Sequence, residues 1–308
     1  MLVQRQVEFW TDFIEETVFF AVHELERQGE QRELVARFHE DRSRLYEVSD
    51  ETDQNRFEKF HLNFFEELGL RQFFYQLTTD FPRLTDGSVR LLIRRAYGRK
   101  SEGAELFVRG SIRTVVTGLQ TTRILDLNFL SGYLRHEWTR ISDMLDPAFE
   151  YDAHASLRGA NEIEENLNRD RFKILWDLSI ASRLLNEGHF YFMNIEELKN
   201  RFERVFSTWF LEDREAIYDA ATRVWPISQK ALIDFSVVGG RKRFSGLAPV
   251  RCPLCHFTSY QLLCNWEDDR ASICSMVQED YPEWSPEDGM CVQCFELYRS
   301  GQKVAYKS

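Results

Sequence analysis

The sequence predicts an α+β fold: a mostly helical main domain carrying a small β-sheet, followed by a compact C-terminal module. Three observations predict it. Apolar residues recur with a helical period through residues 7–82 and again from residue 127 onward. Between these stretches, short runs rich in β-branched and aromatic residues alternate with glycines. Four cysteines then stand as two C-x-x-C pairs near the end of the chain. The order helices, strands, helices and cysteine module is that of an α+β domain with a small appended one.

The elements follow in order. Val7, Trp10, Phe13, Ile14, Val18, Ala21, Val22 and Leu25 predict one amphipathic helix from Val7 to about Leu25. A second is expected from Glu33 to Tyr46. A third follows the N-cap residues Ser49 and Asp50, carries Phe57, Phe60, Phe64 and Leu68 up to Gly69, and continues through Phe73, Phe74 and Leu77 until Pro82. The period then changes to that of strands at Val89–Ile93, Glu105–Val108 and Ile112–Val116, punctuated by Gly98, Gly103, Gly110 and Gly118. Helix returns from Leu127 or Asn128 to Leu145 and stops at Asp146-Pro147, because proline disfavours helical geometry in the residue before it. Further helices are expected at Asn161–Glu187, closed by Gly188, at Asn194–Phe210 and at Glu212–Trp225. The Gly239-Gly240 pair and Gly246 read as a linker, which gives a main domain of residues 1–238, a linker of 239–248 and a C-terminal domain of 249–308.

At 308 residues and 43% hydrophobic content the chain can bury a sizeable core, and its 25 Phe, 11 Tyr and 7 Trp make that core heavily aromatic. The formal charge of −11 disfavours a broad grip on nucleic acid, whose affinity comes from Lys and Arg releasing counterions at phosphates. Two short basic runs, Arg90 to Lys100 and Arg241-Lys242-Arg243, read as solvated faces. No stretch has the length of a membrane span, and the first residues lead into an amphipathic pattern instead of a signal-peptide core. A cytoplasmic protein is therefore expected, and in a reducing compartment clustered cysteines read as metal ligands before disulfides.

Cys252-Pro253-Leu254-Cys255 and Cys291-Val292-Gln293-Cys294 each separate two thiols by two residues, the spacing at which a tight turn aims both sulfurs at one tetrahedral ion. Cys252, Cys255, Cys291 and Cys294 are the expected ligands of one structural Zn2+ per chain, closed because protein fills all four positions. The module resembles a zinc ribbon over Pro249 to Arg299, with an insertion between its knuckles that predicts a strand at Ser259–Leu263 and a helix at Ala271–Gln278. Cys264 and Cys274 lie in that insertion as small apolar side chains, and His256 is a weaker candidate ligand than the four thiols. The resemblance implies a staple or a protein-contact module. Nearby acidic residues (Glu267-Asp268-Asp269, Glu279-Asp280) disfavour nucleic acid here too.

In the main domain, Leu134-Arg135-His136-Glu137-Trp138-Thr139-Arg140-Ile141-Ser142-Asp143 places residues 136, 140 and 143 on one helical face. A His-Glu-x-x-His helix uses that spacing to put two imidazoles on one zinc, with the glutamate as the base that takes a proton from metal-bound water. The segment resembles this helix of the zincin metallopeptidases, and its setting after a small sheet is also similar. The resemblance makes His136 the first ligand and Glu137 the general base, but the second ligand position holds Arg140, which has no lone pair to offer. His-Glu occurs also at His23-Glu24 and His39-Glu40, three of seven histidines, so the weight rests on the surrounding segment and not on the dipeptide.

Two readings follow. Arg140 supplies the positive charge of a lost metal, pairing with Asp143 and with Asp177, and the chain is an inactive zincin-like protein working through a protein partner. The alternative keeps a working metal-dependent hydrolase, with His136 and Asp143 joined by His154, Asp170 or Asp177. A nucleic-acid-binding ribbon protein ranks third. No G-x-S-x-G elbow, phosphate loop or dinucleotide fingerprint occurs.

Overall fold

The computed structural model describes residues 7–48, 54–159, 161–223, 227–244, 250–259, 262–263 and 270–301. The chain divides into two compact units, Met1–Ser236 and Val237–Ser308. The fold is α+β, with helices dominating and a four-stranded sheet in the first unit.

The first unit opens with strand β1 (Val7–Phe9) and helix α1 (Thr11–Gln28). Val7–Phe9 is thus not the start of the helix that periodicity suggests: it pairs in parallel with Leu91–Ile93, and the helix begins after Trp10. Helices α2 (Arg32–Val48), α3 (Gln54–Glu67) and α4 (Leu70–Thr78) follow. The predicted third helix is therefore two, divided at Gly69, whose φ of 73° interrupts the helical geometry there.

Strands β2 (Val89–Arg95), β3 (Gly103–Arg109) and β4 (Ile112–Leu119) complete the sheet in the order β1-β2-β4-β3. The β1, β2 and β4 strands run parallel, while β3 lies antiparallel to β4, with Leu106 opposite Val115. Val89, Leu91 and Ile93 alternate into the core as a period of two requires. They meet Phe13, Val18, Phe65 and Phe74 from the helices in one aromatic-rich cluster.

Helix α5 (Leu127–Leu145), capped by Asp126 accepting from Phe129 N, packs Leu130, Leu134, Trp138 and Ile141 into the same cluster. The buried Trp138 indole N–H donates to Thr117 Oγ1 at 3.1 Å, which pins the helix to β4. A second cluster gathers α6 (Glu162–Asn186), α7 (Ile195–Val205), α8 (Leu211–Arg223) and α9 (Gln229–Phe244) around Trp176, Phe202, Phe206 and Trp209. α7 stops short of the expected Phe210, and α9 carries helix through Gly239-Gly240, where a linker was expected. Residues 245–248 of that linker, and Trp225, lie outside the described residues.

In the second unit, β5 (Val250–Arg251) and β6 (Thr258–Ser259) form an antiparallel hairpin, and Leu263 bridges to Met290. Helices α10 (Arg270–Asp280) and α11 (Val292–Arg299) close it. Leu254, Ile273, Val277, Trp284, Met290 and Tyr298 form its small core around the buried cysteines. Among the described residues no helix is long and apolar enough to cross a membrane.

Candidate metal centre and the His136 cluster

The β5–β6 turn brings Cys252 and Cys255 together: Cys252 N donates to Phe257 O, and His256 N to Cys252 O, both at 2.9 Å. His256 takes the left-handed conformation (φ 58°) that reverses the chain, and its side chain is exposed. The start of α11 supplies Cys291 and Cys294. All four Sγ atoms lie within 4.8 Å of one another. Cys252 and Cys294 are 3.8 Å apart, and Cys255 and Cys291 3.7 Å.

Those separations match the ion. A tetrahedron with Zn–S bonds of ~2.3 Å has S···S edges of roughly 3.8 Å. Four cysteines therefore cluster at metal-binding distance, in the arrangement one structural zinc ion requires. Three of these thiols are perturbed by their closeness. A hydrogen bond from Cys294 and backbone N–H groups pull Cys252 down to about 4. Burial pushes Cys291 up, and the hydrogen bond to Cys252 does the same to Cys294. Four thiolates this close repel one another unless a cation sits between them. Neither His256 nor Cys274 belongs to the set; Cys274 packs against the core beside it, and Cys264 lies outside the described residues.

In the first unit, α5 and α6 bring His136, Glu137, Arg140 and Asp177 together. His136, Glu137 and Asp177 are buried, at 2%, 7% and 8% exposure. Arg140 Nη2 lies 2.8 Å from His136 Nε2 and 2.8 Å from Asp177 Oδ1, and Arg140 Nη1 lies 3.4 Å from Glu137 Oε1. On the other side of the ring, His136 Nδ1 lies 3.0 Å from Tyr191 Oη, and His136 Nε2 also stands 3.4 Å from Asp177 Oδ1. Glu137 spends its other oxygen on the edge of the sheet: Ala104 N donates to Oε2 at 3.0 Å.

One guanidinium, Arg140, faces two carboxylates, Glu137 and Asp177. Burial opposes ionisation of Asp177, but His136 and Arg140 outweigh it and hold the carboxyl below its ordinary range. Burial likewise opposes the Arg140 charge, and Glu137 and Asp177 more than offset it.

The expected Arg140–Asp143 pair does not form. Asp143 is buried one turn further along, where Arg183 grips it through two bonds of 2.8 and 2.6 Å and the Trp176 indole N–H adds a third at 2.8 Å. Geometry decides between the two arginines, since Arg183 on α6 reaches both Asp143 oxygens at once. His154 and Asp170 are exposed, and neither joins a metal-binding group among the described residues.

Two participants went unforeseen. Arg183 has no motif to mark it. Tyr191 lies in the loop after α6, and it reaches His136 because α5 has Gly132 beneath that loop: a Cβ there would stand 3.0 Å from Phe190 O and 3.1 Å from Phe192 N.

Compared with protein families, with characterised proteins and with solved structures, the chain finds no match.

Proposed function

We propose that the chain is a catalytically inactive, zincin-like protein whose C-terminal zinc ribbon is structural, and that it acts through protein–protein contacts. One observation carries the reading: a single guanidinium nitrogen stands 2.8 Å from both His136 Nε2 and Asp177 Oδ1. Two groups that would ligate a metal converge on a permanent cation, and the His-Glu helix holds its charge without one. Glu137 is bound to Ala104 N and faces Arg140, so it lacks the free carboxylate a general base needs. The four-thiolate site keeps no open coordination position, which leaves the ribbon without hydrolytic chemistry. Reduced thiols at all four positions suit a cytoplasmic setting. The acidic charge of −11 favours a protein partner over nucleic acid.

The test is Arg140→His, which restores the second imidazole of the zincin helix. Purified with zinc, the variant is expected to hold one more zinc ion per chain than the parent, and to lose that ion when His136→Ala is added. A folded Arg140→His protein with unchanged zinc content would sink the zincin-like reading.

A further inference from the structure

Strand β3 forms one edge of the sheet, with β4 as its neighbour among the described residues. In an antiparallel pair, successive residues turn their backbone groups alternately toward the neighbouring strand and away from it. The Ala104 N–H points away from β4, since it donates to Glu137 Oε2 at 3.0 Å. The backbone groups of Leu106 and Val108 therefore point the same way, and among the described residues nothing bonds them.

Proteins blunt such edges with bulges, prolines, lysines or a covering segment. Glu137 covers this one at Ala104, but no bulge, proline or lysine interrupts it: the register runs unbroken from Gly103 opposite Gly118 to Arg109 opposite Ile112. The open stretch carries apolar side chains into solvent, with Phe107 53%, Val108 63% and the adjoining Ile112 61% exposed. Its two charges, Glu105 and Arg109, are exposed and make no ion pair among the described residues. They stand two residues to either side of Phe107, on the same face of the strand.

We infer that β3 pairs antiparallel with β3 of a second copy of this chain, with Phe107 on the two-fold axis. In that register Leu106 of each copy faces Val108 of the other, and their open backbone groups satisfy one another. Phe107 meets Phe107, and Glu105 of each copy meets Arg109 of the other, an aromatic pair flanked by two pairs of opposite charge. The neighbouring registers are poorer. Centred on Leu106, the pairing needs the Ala104 N–H that Glu137 holds, and it sets Glu105 against Phe107. Centred on Val108, it draws in Gly110, which turns the chain at φ 61°, and sets Phe107 against Arg109. The strand is thus complementary to itself in charge, apolar contact and backbone bonding in one register. The inference concerns the sheet edge and not the metal at His136, so it holds or fails independently of the inactive-zincin reading.

Sedimentation velocity of the full chain tests it. The parent is expected to pass from monomer to dimer between about 1 and 500 µM. Glu105→Arg and Arg109→Glu, at exposed positions that leave the cores intact, are each expected to weaken dimerisation at least tenfold, because like charges then face each other. Mixed in equal amounts, the two variants are expected to regain the parent's affinity, since both ends of the joint again pair opposite charges. Val108→Pro removes an outward N–H and spares the bonds to β4, so it is expected to abolish the dimer while the far-ultraviolet circular dichroism stays unchanged. Should that variant fail to fold, the mixture decides alone. A parent that stays monomeric over the whole range, a dimer that survives either charge reversal or a folded Val108→Pro, or a mixture that associates no better than its components would overturn the inference.

Discussion

Stripping the metal, or replacing Cys291 by serine, is expected to unfold the described C-terminal residues 250–259, 262–263 and 270–301 while the main unit keeps its own melting transition. The reason is the size of the core. Among the described residues, Leu254, Ile273, Val277, Trp284, Met290 and Tyr298 are the buried apolar side chains of the second unit besides cysteines, and a core that small does not offset chain entropy by itself. A structural zinc contributes on the order of 10–16 kcal/mol to small zinc-bound folds, far more than such a core supplies. The apo state also leaves four sulfurs in contact with no cation between them. Among the described residues, the two large clusters of the first unit contain no cysteine and none of the residues that surround the thiols. Hydrogen exchange reads the outcome residue by residue: protection in α10 and α11 is expected to vanish on chelation while that of β2, β4 and α5 persists.

Arg140→Met is expected to cost the main unit about 3–5 kcal/mol at neutral pH, because removing one partner of a buried pair leaves the other charge stranded. At this domain size the loss lowers Tm by roughly 10 °C. The stranded group is Asp177, buried beside His136 and, among the described residues, without another arginine in contact. Its sign with pH follows from its depressed folded pKa. A carboxyl held lower in the folded state stabilises the fold above its unfolded pKa of about 3.9 and ceases to do so as pH falls through the folded value. In Arg140→Met the Arg140 share of that stabilisation is absent, His136 alone remains beside the carboxyl, and Asp177 takes up a proton more readily. The gap in Tm between parent and variant is therefore widest near neutrality and narrows as pH falls toward 4 and below. Melting curves across that range check it, and a gap independent of pH would show that Asp177 is not the group Arg140 serves.

Much of this was legible in the chain, and the residues show why. The C-x-x-C pairs announce the metal site because two residues is the spacing one turn needs, wherever the rest of the fold goes. Asn161, Gly188 and Asp146-Pro147 mark the ends of α5 and α6 by local chemistry alone, and the structure ends those helices within two residues of them. The face shared by residues 136 and 140 follows from helical geometry, and so does Arg140 reaching beside His136.

What escaped depends on partners distant in sequence. Three residues, Val7 to Phe9, cannot distinguish a period of 2 from one of 3.6, and their strand exists because Leu91–Ile93 lies alongside. Asp143 had two arginines within reach of its helix, and only the packing of α6 against α5 selects Arg183. Tyr191 reaches His136 through a loop seated over Gly132, a fact of tertiary contact with no local signature. The Gly239-Gly240 pair misled in the other direction, since glycine lowers helix propensity without forbidding helix.

The central claim is that metal resides at the four thiolates and that a guanidinium occupies its place at His136. Elemental analysis of protein purified under reducing conditions without chelator tests it most directly. One zinc per chain is expected, unchanged in His136→Ala and lost in Cys291→Ser. Two zincs per chain, with one lost in His136→Ala and kept in Cys291→Ser, would contradict the account, and so would a chain that carries no zinc.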